Sequence, residues 1–444
     1  MGRARYKRVV DALAAEIRSG GVAPATRLPT HRELARTHRL ALATASRVYA
    51  ELEIMGLVVG EVGRGTFVRD QSYPRAIGVD QRVAVDGAVD LSFSEPLVMG
   101  QSDLLRDALR KLASSGDLDA ILHYSPYGGR SHERAIVARY LRNRHLRLTP
   151  AQVLIVNGAQ HGLAVTLMAL LKPGDVMAVD ALTYPGIRIL AQALRLELAP
   201  VPIGADGPDL EQLERLCRER PVRAVYTMPT LHNPLSCVMP AAARRRLATI
   251  ARAHDLLLVE DEAYAYLIAD APAPVASIAP ERTVFVSSLS KNVATGLRFG
   301  FLSAAEPLMA PIERAIRATV WNTAGALTAI ACGWIEDGTV ARLEAEKRKD
   351  AAQRQVIAQR ALEGLRIITH PYSYLVWLVL ADDQRADRVV TQLAQRGISV
   401  APAESFATTT HVPHAIRIAL GSVGMPSLRA ALSVVSDVVR ADSS

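Results

Sequence analysis

One short segment of the sequence combines a lysine with hydroxyl groups and a nearby arginine. It reads Ser287-Ser-Leu-Ser-Lys291 and is followed by Gly296-Leu-Arg298-Phe-Gly300. A lysine amine becomes a nucleophile toward an aldehyde when apolar or positively charged surroundings lower its pKa. The hydroxyls of Ser288 and Ser290, together with Arg298, supply donors that would hold a phosphate beside that aldehyde. The alternative is a single lysine on a loop, but the chain has only six lysines against 46 arginines, so each lysine carries information.

A second segment has the residues of an anion site. Val156-Asn-Gly-Ala-Gln-His-Gly-Leu163 follows a predicted strand and opens a predicted helix. Backbone N–H groups at a helix N-terminus bind anions. The residues predicted to bind a phosphate there are Gly158, Ala159 and Gln160. His161 and His232 are expected to lie near the bound ligand, and each either contacts it or packs in the core.

The elements that must position these residues follow an alternating pattern. Five apolar strands are predicted at 153–156, 176–179, 224–228, 256–259 and 283–286, and each precedes turn residues and a helical segment. Such alternation predicts the α/β class, with a mostly parallel sheet covered on both faces. A long charged helix is predicted at 340–362. A small C-terminal α/β subdomain follows, with strands at 375–380, 399–401 and 415–420 and helices at 384–396 and 426–440.

The first 70 residues have a different pattern. An amphipathic helix is predicted at 7–19, with Val9, Val10, Leu13 and Ile17 on one stripe. Thr30 is a good N-cap for a short second helix. A third helix is predicted at 43–55, burying Val48, Leu52 and Met55, and two strands at 57–59 and 66–68 are joined by glycines. Three short helices followed by a hairpin indicate a winged helix-turn-helix.

Composition narrows the function. Residues 1–70 hold 12 Lys and Arg against 7 Asp and Glu, which suits a polyanionic partner as well as a merely basic surface. The cysteines at 217, 237 and 332 are far apart, which argues against a disulfide framework or a zinc site and fits a reducing cytoplasm. No apolar run approaches the length of a membrane span, and the N-terminus does not read as a signal peptide. No metal is expected, since no metal-binding or hydrolase motif is present.

The N-terminal pattern resembles a known DNA-binding family. Leu28-Pro-Thr-His-Arg-Glu-Leu-Ala35, Ala43-Thr-Ala-Ser-Arg-Val-Tyr-Ala-Glu-Leu52 and Gly63-Arg-Gly-Thr-Phe-Val68 resemble the GntR-type winged helix. The resemblance implies that the chain binds a double-stranded DNA operator. Thr44 and Arg47, three residues apart, share the face that enters the major groove. Arg32 lies where phosphate contacts are usual, and Arg64 is at the wing tip. By itself, Arg47 could be a solvated helix arginine.

The rest of the chain resembles fold-type I aminotransferases, which bind pyridoxal 5′-phosphate (PLP). The resemblance makes Lys291 the residue that forms a Schiff base with PLP. It implies that the phosphate is bound by Gly158, Ala159, Gln160, Ser288, Ser290 and Arg298. The ring contacts that it implies are Tyr184 stacked on the ring, Asn233 and Tyr264 at the ring hydroxyl and Asp261 at the ring nitrogen. Arg417 would bind a ligand carboxylate, and Tyr124 would reach the phosphate of a neighbouring subunit.

Several of these residues have an ordinary structural alternative when taken singly. Asp261 could cap a strand end, Tyr184 could be a core aromatic and Arg417 could form a surface ion pair. Their occurrence in the family's order over about 350 residues makes coincidence an inadequate explanation. The predicted domains are a winged helix at 1–70, a linker at 71–89, a large PLP-binding domain at 90–330 and a small C-terminal subdomain at 331–444.

The combination of both parts resembles the MocR subfamily of bacterial regulators. It implies a PLP-dependent transcription regulator in the cytoplasm that senses a small amine or amino acid by forming an external aldimine. It also implies a homodimer arranged head-to-tail. Two alternatives remain open from the residues. One is an active aminotransferase with an appended DNA-binding domain, and the other is a sensor whose effector is PLP itself.

Overall fold

In the computed structural model, the chain divides into two compact units, Met1–Ala76 and Ile77–Ser444. The structure describes residues 2–18, 21–23, 26–54, 57–61, 65–68, 88–96, 100–115, 117–381, 384–410 and 412–441. Residues 71–87 of the predicted linker lie outside this set, and Val89 belongs to a strand.

The N-terminal unit has the predicted order of three helices and a hairpin. Its elements are α1 (Gly2–Arg18), α2 (His31–Thr37), α3 (Leu42–Ile54), β1 (Val58–Glu61) and β2 (Gly65–Val68). β1 and β2 pair antiparallel. Val9, Val10 and Ile17 are buried, as the apolar stripe predicts, and α3 buries Val48 and Leu52. Met55 lies outside the described residues. These helices bury their apolar faces against one another in a single small core.

The start of α2 is held by a reciprocal pair of hydrogen bonds. The Thr30 hydroxyl accepts from the Glu33 backbone N–H at 3.3 Å, and the Glu33 carboxylate accepts from the Thr30 backbone N–H at 2.7 Å. Two N–H groups that the helix leaves without partners are satisfied in this way. The bonds hold the Glu33 side chain in its ionised form and lower its pKa. The prediction that Thr30 caps this helix is confirmed.

The C-terminal unit alternates helices with strands. Its helices are α4 (Gln101–Ser115), α5 (Leu118–Leu122), α6 (Ser131–Tyr140), α7 (Ala159–Leu170), α8 (Pro185–Ala193), α9 (Leu210–Glu219), α10 (Ala241–Ala253), α11 (Val275–Ile278), α12 (Glu306–Thr319), α13 (Gly325–Glu336), α14 (Thr339–Ala361), α15 (Ala386–Gln395) and α16 (Met425–Ala441). Its strands are β3 (Val89–Asp90), β4 (Val153–Val156), β5 (Val176–Asp180), β6 (Glu197–Val201), β7 (Ile203–Gly204), β8 (Gly207–Pro208), β9 (Val222–Thr227), β10 (Leu257–Asp261), β11 (Thr283–Ser288), β12 (Gly300–Ser303), β13 (Arg366–Thr369), β14 (Leu375–Val379), β15 (Ile398–Ser399), β16 (Ala401–Pro402) and β17 (Ala415–Ala419).

The seven-stranded sheet at the centre of this unit has the order β4-β12-β11-β10-β9-β5-β6. β12 is antiparallel to both neighbours, and the other pairs are parallel. β4 and β5 are buried along their whole length, which explains why their sequences are continuously apolar rather than alternating. Helices cover the sheet and form separate apolar cores with it. The α/β class and the mostly parallel sheet are confirmed.

The C-terminal subdomain is built on an antiparallel sheet with the order β13-β14-β17-β16. The prediction of one strand at 399–401 is wrong. Ile398–Ser399 pairs parallel with Val89–Asp90, whereas Ala401–Pro402 pairs with β17. The chain leaves one partner and meets the other within three residues, and local sequence does not encode which neighbour supplies the hydrogen bonds.

Among the residues that the structure describes, no helix has both the length and the apolar composition to cross a membrane. The three cysteines are free thiols.

Candidate functional site

The predicted site residues meet at one edge of the central sheet. β10 ends at Asp261 and the neighbouring parallel strand β11 ends at Ser288, three residues before Lys291. β12 begins at Gly300, opposite Val156 of β4. The antiparallel β12 thereby brings Arg298, which lies two residues before it, back to the start of α7. In α/β sheets this carboxyl edge of the strands is where ligands bind.

The N-terminus of α7 forms a cradle. Gly158 caps the helix with φ +80°, and the guanidinium of Arg298 donates to the Asn157 carbonyl at 3.2 Å. A Cβ on Gly158 would lie 2.7 Å from Nη2 of Arg298, so only glycine leaves this space open. The first N–H groups of a helix, here those of Ala159 and Gln160, point out of its end. The cradle therefore has the shape and charge to bind a phosphate.

A buried hydroxyl at the same edge has no partner among the described residues. Ser290 is buried and its Oγ makes no hydrogen bond there, while its backbone N–H donates to the Ser288 hydroxyl at 3.3 Å. A buried hydroxyl without a partner costs free energy unless a ligand or water satisfies it. This unsatisfied group and the Gly158 cradle both fit an anionic ligand.

Asp261 is a buried carboxylate held in place by two donors. Tyr226 of β9 donates its phenol proton to Oδ2 at 2.9 Å, and the Ala263 backbone N–H donates to Oδ1 at 3.1 Å. Burial raises the pKa of Asp261 to about 6, although the two hydrogen bonds act in the opposite direction and lower it. Asp261 is therefore more than a strand-end cap. The side chain is placed to accept a proton from a ligand or to pair with a cationic ring nitrogen.

Tyr184 lies against the cradle. Its hydroxyl donates to Oε1 of Gln160 at 3.0 Å, and Nε2 of Gln160 donates to the Gly186 carbonyl at 3.1 Å. A Cβ on Gly186 would lie 2.3 Å from the Tyr184 ring, so this glycine gives the ring its position. Burial and the nearby Asp261 raise the pKa of the Tyr184 phenol. Tyr264 is also buried and lies near Tyr184.

Arg417 is buried and is therefore not a surface residue. It donates to Oδ1 of Asn233 at 3.2 Å and to the Ser92 carbonyl, and its guanidinium lies 4.9 Å from the centre of the Phe406 ring. Its Nε has no hydrogen bond among the described residues. Burial lowers the pKa of Arg417 to about 10. A buried guanidinium bonded to neutral oxygens is a strong site for an incoming carboxylate.

Residues 88–96, here called the site segment, cross the site beside these cations. The Lys291 ammonium donates to the Ser94 carbonyl, Arg417 donates to the Ser92 carbonyl, and the Ser422 hydroxyl donates to the Phe93 carbonyl. The Ser94 hydroxyl is buried without a partner among the described residues. A ligand that reaches both Lys291 and Arg417 must replace hydrogen bonds to this segment.

Tyr124 and the two histidines considered as ligand contacts have other partners in this structure. Tyr124 is 84% exposed and packs on Trp321, with ring centres 5.6 Å apart. His161 accepts from the Asn157 N–H at 3.1 Å and meets the Thr319 hydroxyl at 2.8 Å. His232 is buried, with Nε2 3.2 Å from the Asp180 carboxylate. Both histidine side chains are thus engaged by protein groups, which favours packing over ligand contact.

In the N-terminal unit, Arg32 and Arg47 are exposed and Thr44 is half-buried. The guanidinium of Arg47 lies 5.0 Å above the ring of Tyr6, so it is partly held rather than fully solvated. Arg64 lies outside the described residues.

The sequence reasoning missed several groups that shape the site. Tyr226, Ser92 and Ser94 come from elements far along the chain, and nothing local marks them. Gly186 could have been found, because it follows Tyr184-Pro185 and a glycine after such a pair indicates close packing.

Comparison with known proteins gives the class. The profile for aminotransferase class I and II matches residues 86–434, and the profile for bacterial regulatory proteins of the gntR family matches residues 5–68. An archaeal alanine:glyoxylate aminotransferase superimposes with a TM-score of 0.74 at 21% identity, over 80% of this chain and 91% of that one. LysN, the α-aminoadipate aminotransferase of Thermus thermophilus, superimposes with 0.73 at 20% identity, over 84% and 98%. At such identity the structures show the fold alone.

The chain therefore belongs to the aminotransferase class I and II family, whose fold implies dependence on PLP. It joins that domain to a GntR helix-turn-helix domain, as the MocR subfamily does. The HTH-type transcriptional regulator YdeF of Bacillus subtilis is 27% identical over 423 residues, 94% of this chain and 90% of its own. The HTH-type pyridoxine biosynthesis transcriptional regulator PdxR of Corynebacterium glutamicum is 28% identical over 322 residues, 71% of this chain and 69% of its own.

We expect Asp261→Asn to stabilise the PLP-free protein in a pH-dependent way. The raised pKa means that folding favours the protonated carboxyl, so the wild type loses stability as pH rises from about 4 to about 6. Asparagine has no such loss. The gain in unfolding free energy should be larger at pH 8 than at pH 4 by up to about 3 kcal/mol. Urea denaturation at both pH values measures it, with the exposed Asp255→Asn as control. An equal gain at both pH values would contradict the assignment.

Proposed function

We propose that this chain is a PLP-dependent, DNA-binding transcription regulator that senses a small amine or amino acid through imine exchange at Lys291. The observation that carries the proposal is the Gly158 cradle with Arg298 beside it, at the same sheet edge as Asp261 and Lys291, in a chain that begins with a GntR domain. When bound, PLP supplies an aldehyde that condenses with primary amines and a ring that withdraws electrons.

Each residue of the site has a role toward PLP in this proposal. The Lys291 amine would hold the PLP aldehyde as an imine. The Asp261 carboxylate would pair with the ring nitrogen and keep it protonated. Tyr184 would stack on the ring, and Asn233 and Tyr264 would donate to the ring hydroxyl. The phosphate would be held by Gly158, Ala159, Gln160, Ser288, Ser290 and Arg298.

The effector-binding role falls to Arg417. Its bonds to the Ser92 carbonyl and the Asn233 amide oxygen are the contacts that an effector carboxylate would replace in a bidentate fork. An amino acid is therefore favoured over a plain amine. The site segment begins at residue 88, at the end of the predicted linker 71–89. Effector binding would break its hydrogen bonds to Lys291 and Arg417 together, which gives a route by which the signal reaches the linker.

The DNA-binding role falls to the N-terminal unit. α3 is the recognition helix, with Arg47 and Thr44 toward the major groove, Arg32 at phosphate and Arg64 at the wing. We also propose a head-to-tail homodimer. Tyr124 and Leu122 are more than four-fifths exposed on this chain, although large apolar side chains are usually covered. In a dimer Tyr124 would reach the partner's phosphate site.

Two other functions remain testable against this one. Lys291, Asp261 and Arg417 form the set that transamination requires, which favours an active aminotransferase with an appended DNA-binding domain. The name of the Corynebacterium relative refers to pyridoxine biosynthesis, which favours PLP itself as the effector. Steady turnover of an amino donor and a keto acid would support the first. The second predicts that loading with PLP changes operator affinity and that added amines do nothing further.

Replacing Lys291 with alanine should abolish sensing, because no other primary amine lies at the cradle edge among the described lysines. We expect the Schiff-base absorbance to vanish and operator binding to become independent of amino acids. A screen of amino acids by absorbance, followed by DNA binding of the wild type and the variant, measures both. The exposed Lys349→Ala should behave as wild type. Amino-acid-responsive DNA binding that persists in Lys291→Ala would refute the proposal.

Arg417→Ala should weaken the effector and spare the cofactor. We expect spectral titration to show that the affinity for an amino acid falls by about tenfold or more. This corresponds to a loss of about 1.4 kcal/mol of binding free energy, from the hydrogen bonds between the guanidinium and the carboxylate. PLP loading should be intact, since the phosphate contacts lie elsewhere. A plain amine of similar size serves as the matched control and should bind both proteins alike. Equal amino-acid affinity in the two proteins would show that Arg417 does not bind a carboxylate.

Arg47→Gln should reduce operator affinity by about 1–3 kcal/mol if the side chain contacts a base. Operators selected from random duplexes with the wild-type protein provide the ligand, and the salt dependence of binding separates base from phosphate contact. Arg245→Gln removes the same charge from an exposed position in the other unit and controls for net charge. Thermal melting checks that losing the contact with Tyr6 has not unfolded the N-terminal unit. Unchanged affinity in a folded Arg47→Gln protein would exclude Arg47 from the interface.

A further inference from the structure

A second lysine lies buried beneath the Lys291 loop. Lys347, on the long helix α14, is fully buried. Its ammonium donates three hydrogen bonds, all to backbone carbonyls: to Pro96 at 2.9 Å, to Lys291 at 2.9 Å and to Val293 at 3.0 Å. An ammonium has three donors, so each of them is used. One side chain thus ties α14 to the site segment and to both ends of the turn 291–293.

The carbonyl oxygen of Lys291 is held from two sides. Tyr266, also buried, donates its phenol proton to this oxygen at 2.9 Å, in addition to the bond from Lys347. A carbonyl oxygen has two lone pairs, and both are occupied here. The backbone of the residue that would carry PLP is therefore fixed by two buried donors from separate elements. Fixing a reactive group in this way is what preorganises a site.

The three acceptors favour the charged form of Lys347. A neutral amine has only two N–H donors, so one of the three hydrogen bonds would be lost. Among the described residues no carboxylate lies within ion-pair distance of this ammonium. The charged groups that act on it are Lys291 on the loop, Glu95 on the site segment and Asp350 on α14. Burial, followed by the charge of Lys291, lowers the pKa of Lys347 to about 7, while Asp350 and Glu95 raise it.

We propose that Lys347 is the positioning residue of Lys291, which fixes the backbone of the Lys291 loop and, through its positive charge, disfavours a proton on the Lys291 nitrogen. The inference rests on the proposed function, because it assigns Lys347 a role toward the PLP-bound lysine. Lysines beside a second cation are known as a means of making an amine reactive near neutral pH. Nothing in the motif around Lys291 points to Lys347, since 56 residues separate them.

The two contributions are separable with three variants of the PLP-loaded protein. Lys347→Met removes the anchor and the charge, Lys347→Gln keeps a donor and removes the charge, and Tyr266→Phe removes only the second anchor on the same carbonyl. PLP affinity reports the anchoring. The pH midpoint of the bound-PLP absorption spectrum reports the charge. Lys349→Met is the matched control, since Lys349 is an exposed lysine on the same helix α14.

We expect Lys347→Met and Tyr266→Phe each to weaken PLP binding by about tenfold. The midpoint of the spectrum should rise by about one pH unit in Lys347→Met and Lys347→Gln, because losing a positive neighbour favours the protonated nitrogen. It should stay unchanged in Tyr266→Phe and Lys349→Met. If Lys347→Met does not fold, Lys347→Gln and Tyr266→Phe decide the two contributions by themselves.

An unshifted midpoint in a folded Lys347→Gln protein would overturn the charge role, and an unchanged PLP affinity in Tyr266→Phe would overturn the anchoring. Borohydride reduction of the wild type, followed by peptide mass analysis, separates this failure from that of the proposed function. If PLP is not trapped on Lys291 in the wild type, the proposed function fails. If it is trapped there and the variants match the wild type, only the role of Lys347 fails.

Discussion

Buried or half-buried cations bonded to neutral oxygens set the chemistry of this protein. Lys291, Lys347 and Arg417 all donate to backbone carbonyls, and among the described residues none of them has a carboxylate within ion-pair distance. Removing a charge from water without an opposite charge is expensive, and hydrogen bonds to carbonyls offset only part of that cost. The site thus has an excess of positive potential. A ligand that brings a phosphate or a carboxylate reduces this cost when it binds.

The same constraint explains how the surrounding elements are arranged. Three backbone carbonyls of the site segment accept hydrogen bonds from these cations. Ser92 accepts from Arg417, Ser94 from Lys291 and Pro96 from Lys347. That segment precedes the central sheet in the chain yet packs between its carboxyl edge and the C-terminal subdomain, where β3 pairs with β15. A change in any of the three cations is therefore felt by one continuous stretch of backbone.

Asp261 is an acidic counterpart of these cations and ends strand β10. It is buried, its pKa is raised to about 6, and its donors are a phenol and one backbone N–H rather than a cation. Among the described residues, no ion pair joins this carboxylate to Lys291, Lys347 or Arg417. Such a combination of charges suits a ligand that is anionic at one end and protonated at the other.

Much of this could be read from the sequence, because the relevant signals are local. Continuous apolar runs identified the buried strands, Thr30 with Glu33 identified a helix start, and the Lys291 motif with Gly158 identified the loop and the cradle. The strand at 399–401 was misassigned because its two halves pair with different sheets. Tyr226 and the site segment act through contacts with residues far along the chain, which no local pattern encodes.

The sequence by itself determined the two domain classes, the residues at the strand ends and the position of Lys291 on the loop after β11, since each depends on residue type and short spacing. Only the tertiary structure decided what those residues contact. It placed Arg298 against Gly158, Tyr226 on Asp261, Ser92 on Arg417 and Lys347 beneath Lys291. The physical reason is that hydrogen-bond partners and burial are set by the packing of distant elements. Short patterns place Lys291 on its loop, and the packing of distant elements decides which groups hold it there.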